Sequence, residues 1–216
     1  MKNTSAIVFD LDETLISTSF RQYKVVSEFL RNQLSVEEII SFDDYLQKRK
    51  LQRLSNWEIV RLFLNNDRYK TEYFSYVSSV IETPFYLNYD KLIVSLDALE
   101  HFNKHLGLHL ILLSLRNNIE NSRSQLMNLG LFQFFKEIHF VPHSLDNPKT
   151  KILESLKSTY DLVGFVGDSE IDSKAADDSS VIFFNVETGI YPNQSTHKKF
   201  KDVNFFIKKI ISDEKI

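Results

Sequence analysis

Asp10 and Asp12 stand two residues apart where a short apolar run, Ala6 to Phe9, gives out. In extended backbone, residues two apart point to the same side, so the two carboxylates share a face while Leu11 turns away. Such a pair is costly unless a cation or a proton divides its charge, which marks it as a reactive or metal-binding arrangement. Two acids at a solvated strand end are the plainer alternative, and residues elsewhere decide between the two.

Three further sites bear on that choice. Leu112-Leu113-Ser114 ends a second apolar run in a hydroxyl, and Gly167-Asp168 ends a third, with Asp172 one helical turn later. Gly167 permits close backbone approach, and Asp168 with Asp172 adds oxygen ligands suited to a hard cation. Acids capping a helix start are the competing reading of this second pair. The chain has no Cys, so carboxylate oxygens point to magnesium rather than zinc. Asn147-Pro148-Lys149 reads as N-cap, first helical residue and a lysine in the first turn, a placement that opposes the helix dipole unless an anion sits there. Lys149 and Lys151 both qualify. Lys149 shares a helix face with Leu153 and Leu156, whereas Lys151 aligns with Ser155 and Ser158, so Lys149 is assigned to the sheet side and Lys151 to water.

The elements that must position these residues alternate. Ala6 to Phe9, Leu108 to Leu113, Ile138 to Val141, Leu162 to Val166 and Val181 to Val186 are short apolar runs expected as five buried strands. Helical patterns over Leu92 to His105, Ile119 to Leu129, Pro148 to Lys157 and Ile171 to Asp177 separate them, and Phe205 to Ile211 makes a terminal helix. The fold class is therefore α/β, a doubly wound parallel five-stranded sheet, whose ligand site lies outside the carboxyl ends of the strands. The first 106 residues contain no glycine and read differently. Phe20 to Leu34 has helical period. Ser35 with Glu38, Ser41 with Asp44 and Ser55 with Glu58 look like capping boxes, a helix is expected from Tyr69 to Ile81, and Thr83-Pro84 closes the segment. Residues 1–16 and 87–216 are thus expected to form the core domain, and 17–86 an inserted α-helical domain.

With 216 residues, 43% of them hydrophobic, the chain can bury one substantial core and a smaller second one. A formal charge of -3 supplies no basic field for nucleic acid, which is not expected as a partner. The absence of Cys removes disulfides and thiol nucleophiles. Acids at Asp10, Asp12 and Glu13 interrupt what would be the apolar part of a signal peptide, and no run approaches the roughly 20 apolar residues needed to span a bilayer. A cytoplasmic monomer without a membrane partner is the expectation.

Taken in order, FDLDETL around Asp10, LLSLR around Ser114, NPKTKIL around Lys149 and VGDSEID around Asp168 resemble the haloacid dehalogenase superfamily of phosphatases. The helical insertion after the first motif resembles the subfamily with a mobile cap there, as in phosphoglycolate phosphatase and β-phosphoglucomutase. The resemblance implies Asp10 as nucleophile toward phosphorus and Asp12 as the acid, then base, beside it. It implies Ser114 and Lys149 as holders of the phosphoryl oxygens. Magnesium would be bound by Asp10, the backbone carbonyl of Asp12 and Asp168, with Asp172 in support. The expected substrate is a small phosphorylated metabolite. Two departures stand out: Glu13 replaces the glycine usual between Asp12 and Thr14, and Leu115-Arg116 replaces the more common small or amide residue after Ser114. Arg116 is read as a surface cation in preference to a phosphate ligand.

Other residues carry less. Lys48-Arg49-Lys50 and Arg53 lie in a segment with ten basic against nine acidic residues, Phe20 to Phe85, and are expected on a solvated helix face. His101 and His105 have zinc-like spacing but lack a third ligand. The rivals to a phosphatase are a phosphomutase, in which phosphorylated Asp10 would survive in water, and a non-catalytic phosphate-binding module on the same fold.

Overall fold

A strand that is apolar along its whole length needs helices on both faces, and Ser5–Phe9 (β1) is buried from Ala6 onward. In the computed structural model, which describes residues 4–34, 40–143, 148–191, 193, 194 and 196–213, β1 lies inside a parallel sheet. Its partners are His109–Leu115 (β2), Glu137–Val141 (β3), Asp161–Gly167 (β4), Phe183–Val186 (β5) and Lys198–Phe200 (β6), in the order β3-β2-β1-β4-β5-β6. The sixth strand corrects the expected five. Lys198-Lys199-Phe200 offers no apolar run, because an edge strand need not be buried on both faces and exposed lysines there discourage further pairing.

Alternation sorts the strand residues onto two cores. Ile7 and Phe9 pack with Leu110 and Leu112, with Leu99 and Phe102 of the helix Leu96–Leu106, and with Phe206 and Ile210 of the terminal helix Val203–Asp213. Ala6 and Val8 pack on the other side with Ile111 and Leu113, with Leu153 and Leu156 of the helix Pro148–Thr159, and with Ala175 and Ala176 of the helix Glu170–Asp178. Strand order reverses between β1 and β4, so the crevice at their carboxyl ends is the place where a ligand site forms in this architecture.

Residues Thr18–Lys91 form a second, all-helical unit, and Met1–Ser17 with Leu92–Ile216 form the sheet unit. The second unit contains Ser19–Leu34 (α1), Phe42–Lys50 (α2), Asn56–Leu64 (α3), Lys70–Val80 (α4) and Pro84–Leu87 (α5). Ser55 and Glu58 make a full capping box, and the Ser41 side chain accepts from the Asp44 N–H. The expected box at Ser35 and Glu38 lies outside the described residues. Thr83-Pro84 opens a helix rather than closing the segment, because proline fits the first helical position and Thr83 can stay extended before it. Its core is rich in aromatics, with Phe29, Tyr45, Trp57 and Tyr73 beside Val26, Leu30, Ile59 and Val60. The basic run is not wholly solvated either: Arg49 is buried and donates to Asn56 Oδ1 at 2.8 Å, since it shares the inward face of α2 with Tyr45 four residues before it. Among the described residues, no helix is long and apolar enough to cross a membrane.

Candidate active site

The backbone of Asp10 is tied to β4 by a bond from its N–H to the Val166 carbonyl at 2.9 Å, which places its side chain one residue past the end of β1 and close to the end of β4. Lys149, in the first turn of the helix Pro148–Thr159, reaches it from one face of the sheet. Lys149 Nζ donates to Asp10 Oδ1 at 2.6 Å and to Asp172 Oδ1 at 2.5 Å, and sits 5.7 Å from the centre of the Phe165 ring. Lys149 is buried and Lys151 exposed, as the helical facing requires. Asn147, expected as the N-cap of this helix, lies outside the described residues.

Asp168 follows β4 directly, and Asp172 belongs to the helix that starts two residues later. Both readings of Asp172 hold together. Its Oδ2 accepts from the Ser169 N–H at 3.2 Å and from the Ser169 hydroxyl at 2.6 Å, completing a capping box, while Oδ1 takes the lysine. Gly167 makes this approach possible, because a Cβ there would lie 2.8 Å from Asp172 Cβ, Cγ and Oδ2. Gly189 acts likewise on Asp168, whose Oδ2 would be 2.7 Å from an added Cβ.

Asp10, Asp168 and Asp172 each offer a carboxylate oxygen, and the three oxygens lie within 4.8 Å of one another. The proton affinities reflect this crowding. Removal from water, less the effect of Lys149 and reinforced by Asp172 and Asp12, pushes Asp10 up from 3.8 to about 7. Asp168 is pushed well above its ordinary value, first by removal from water, then by Asp10, Asp172 and Glu13. Burial alone would lower Lys149, but Asp10 and Asp172 outweigh it and hold the ammonium protonated. With all three ionised, three carboxylates against one ammonium would leave two negative charges, the amount that one divalent cation neutralises. The all-oxygen donor set suits a hard ion such as magnesium.

Asp12 does not join this trio. Asp12 lies beyond the last residue of the strand, which ends at Phe9. The Asp12 carboxylate pairs through Oδ1 with Arg116 Nη2, although it is near enough to raise Asp10. Arg116 is therefore no surface cation: its side chain is 2% exposed against 34% for Asp12, and its N–H is bonded to the Val141 carbonyl at 2.9 Å. A charged residue just past an apolar strand reads as solvent-facing from sequence, and only the partner across the rim shows otherwise. Ser114 is buried in β2, two residues beyond Leu112, the register partner of Phe9.

Sequence reasoning passed over Thr14. Its buried hydroxyl lies 3.2 Å from both Asp10 Oδ2 and Asp168 Oδ1 and so links these two acids. Glu13 adopts a left-handed conformation, φ 58°, which accounts for glycine being usual there. The Glu13 carbonyl accepts from the Thr188 hydroxyl, and its carboxylate from Ser17 at 3.4 Å. That strained turn is what brings Thr14 back toward Asp10, and the glycine preference noted above was the available signal.

A doubly wound sheet with an acidic crevice at the β1 and β4 ends defines an α/β protein whose ligand site lies at the topological switch point. The family model for haloacid dehalogenase-like hydrolases matches residues 4–179, and the chain belongs to that family. Among curated proteins, none matches at a significant level. Solved structures share the fold at low identity. A predicted phosphatase from Clostridium acetobutylicum is 17% identical with a TM-score of 0.63, over 98% of this chain and 100% of that one. A predicted phosphoglycolate phosphatase from Haemophilus somnus is 20% identical with a TM-score of 0.63, over 97% and 99%. A subfamily IA hydrolase of the same superfamily from Geobacter sulfurreducens is 15% identical with a TM-score of 0.67, over 96% of each chain.

Proposed function

We propose that the protein is a cytoplasmic, magnesium-dependent phosphatase that hydrolyses a small phosphorylated metabolite through an aspartyl-phosphate on Asp10. The observation that carries this reading is the meeting of Asp10, Asp168 and Asp172 around Lys149, three mutually repelling carboxylates that one ammonium offsets only in part and that a divalent cation would neutralise. In the resting site Lys149 holds one oxygen of Asp10 and Thr14 faces the other, so the nucleophile is oriented before substrate arrives. Asp10 attacks phosphorus while Asp12 gives its proton to the leaving oxygen. Asp12 then takes a proton from the water that cleaves the aspartyl-phosphate, and phosphate leaves. Ser114 and Lys149 hold the phosphoryl oxygens. Asp10, Asp168 and the Asp12 carbonyl would hold magnesium, with Asp172 supporting them; the ion offsets the repulsion between an anionic nucleophile and an anionic phosphate. The helical unit, inserted between Asp12 and Ser114, is assigned the choice of leaving group. Release of phosphate from para-nitrophenyl phosphate tests the reading: turnover must require magnesium and must disappear in Asp10→Asn. Turnover that persists in that variant, or none in wild type across a panel of phosphorylated metabolites, refutes it.

A further inference from the structure

We infer that Arg116 is a positioning residue for proton transfer, holding Asp12 by one carboxylate oxygen so that the acid faces the leaving group. This rests on the role given to Asp12 above. The guanidinium is buried at the end of β2, anchored through its backbone to the end of β3, and its Nη2 meets Asp12 Oδ1. The two members of the pair differ in a telling way. Arg116 is shut away at 2% exposure, and its Nε is buried with no hydrogen-bond partner, whereas Asp12 keeps 34% of its side chain open. Burying a guanidinium is unfavourable, and an ion pair with a half-open carboxylate offsets that cost only in part. What the pair does achieve is to fix an otherwise accessible carboxylate. Asp12 lies past the end of β1, and passing a proton in line to a leaving oxygen requires the acid to be held in one orientation. In the first step the phosphorus–oxygen bond to the leaving group breaks, the bond to Asp10 forms, and the proton on Asp12 passes to the leaving oxygen.

Leaving-group dependence separates this role from a structural one. A poor leaving group needs the proton from Asp12 and a good one does not, whereas damage to folding or to phosphate binding lowers all substrates alike. The quantity to measure is kcat/KM, which covers the steps through phosphorylation of Asp10, for 2,4-dinitrophenyl, para-nitrophenyl and alkyl phosphates. In Arg116→Ala, the alkyl ester should lose about 100-fold or more, the dinitrophenyl ester should change little, and the nitrophenyl ester should fall between. Arg116→Lys, which keeps the charge without the planar fork, should show the same ordering with smaller losses, and it carries the comparison if the alanine variant does not fold. In an Asp12→Asn background, replacing Arg116 should cost nothing further on the alkyl ester. Equal losses on all three esters, or additive losses in the double variant, overturn the inference while wild-type turnover leaves the proposed function standing. A wild type that turns over none of the three overturns both.

Discussion

The two units of the chain handle buried charge in opposite ways. In the helical unit, Arg21 pairs with Asp90 at 3.3 Å with both side chains buried, Arg49 donates to Asn56, and Glu28 accepts from Tyr86, which in turn bonds Tyr76 at 2.9 Å. Each of these charges meets a neutral or opposite partner within the unit. In the sheet unit, three carboxylates share one lysine, and two of them are held well above their ordinary proton affinity. Local conflict of that kind marks a site built to receive something, whereas local satisfaction marks a scaffold.

Removing a charge should therefore act differently on activity and stability in the two units. The largest effect is expected from Asp10→Asn, which should bring phosphate release below about a thousandth of wild type. The same change should raise the melting temperature of metal-free protein near neutral pH, because it removes a charge the folded state disfavours. A fall in melting temperature would break the comparison. Arg21→Ala should do the reverse, removing the buried ion-pair partner of Asp90 at a cost of about 3–5 kcal/mol, read by calorimetry.

Gly167→Ala should cost about 1–3 kcal/mol and lower activity as well, since the new methyl meets Asp172 and through it Lys149. Unchanged kinetics in that variant would mean that the Asp172–Lys149 contact has no part in turnover.

The smallest effect concerns pH. Asp10 binds its proton more tightly folded, at about 7, than its ordinary 3.8, so the folded state carries the extra proton between those values. The contribution of Asp10 to the stability of the metal-free protein is then greatest below about pH 4 and falls as pH rises toward 7, with Asp168 acting in the same direction, while Glu58, Glu100 and Glu137, held below the usual carboxylate range, act the opposite way. The raised Lys149 contributes the same stability throughout this window, because lysine is protonated in both states there. Magnesium should raise the melting temperature by a few degrees, and more at about pH 7.5 than at about pH 5. An equal shift at both would count against a cation held by these acids.

Most of the sheet was legible because a strand buried on both faces must be apolar, and Ala6 to Phe9 and Leu110 to Leu113 are. Lys198–Phe200 was not, since an edge strand is under no such demand. Lys149 was legible from helical period alone. Arg116 was misread because a charge after an apolar run looks solvent-facing until its partner, 104 residues earlier in the chain, is seen. Thr14 escaped notice because its place depends on the left-handed turn at Glu13.

The sequence by itself determined which residues can carry charge and which runs must be buried, since hydrophobic period and residue chemistry are local properties. The tertiary structure alone decided that Asp172 both caps its helix and holds Lys149, that Asp12 turns to Arg116, and that Asp10, Asp168 and Asp172 form the trio. Those pairings join strand ends far apart in the chain, and no local pattern specifies which side chains meet once the strands lie side by side.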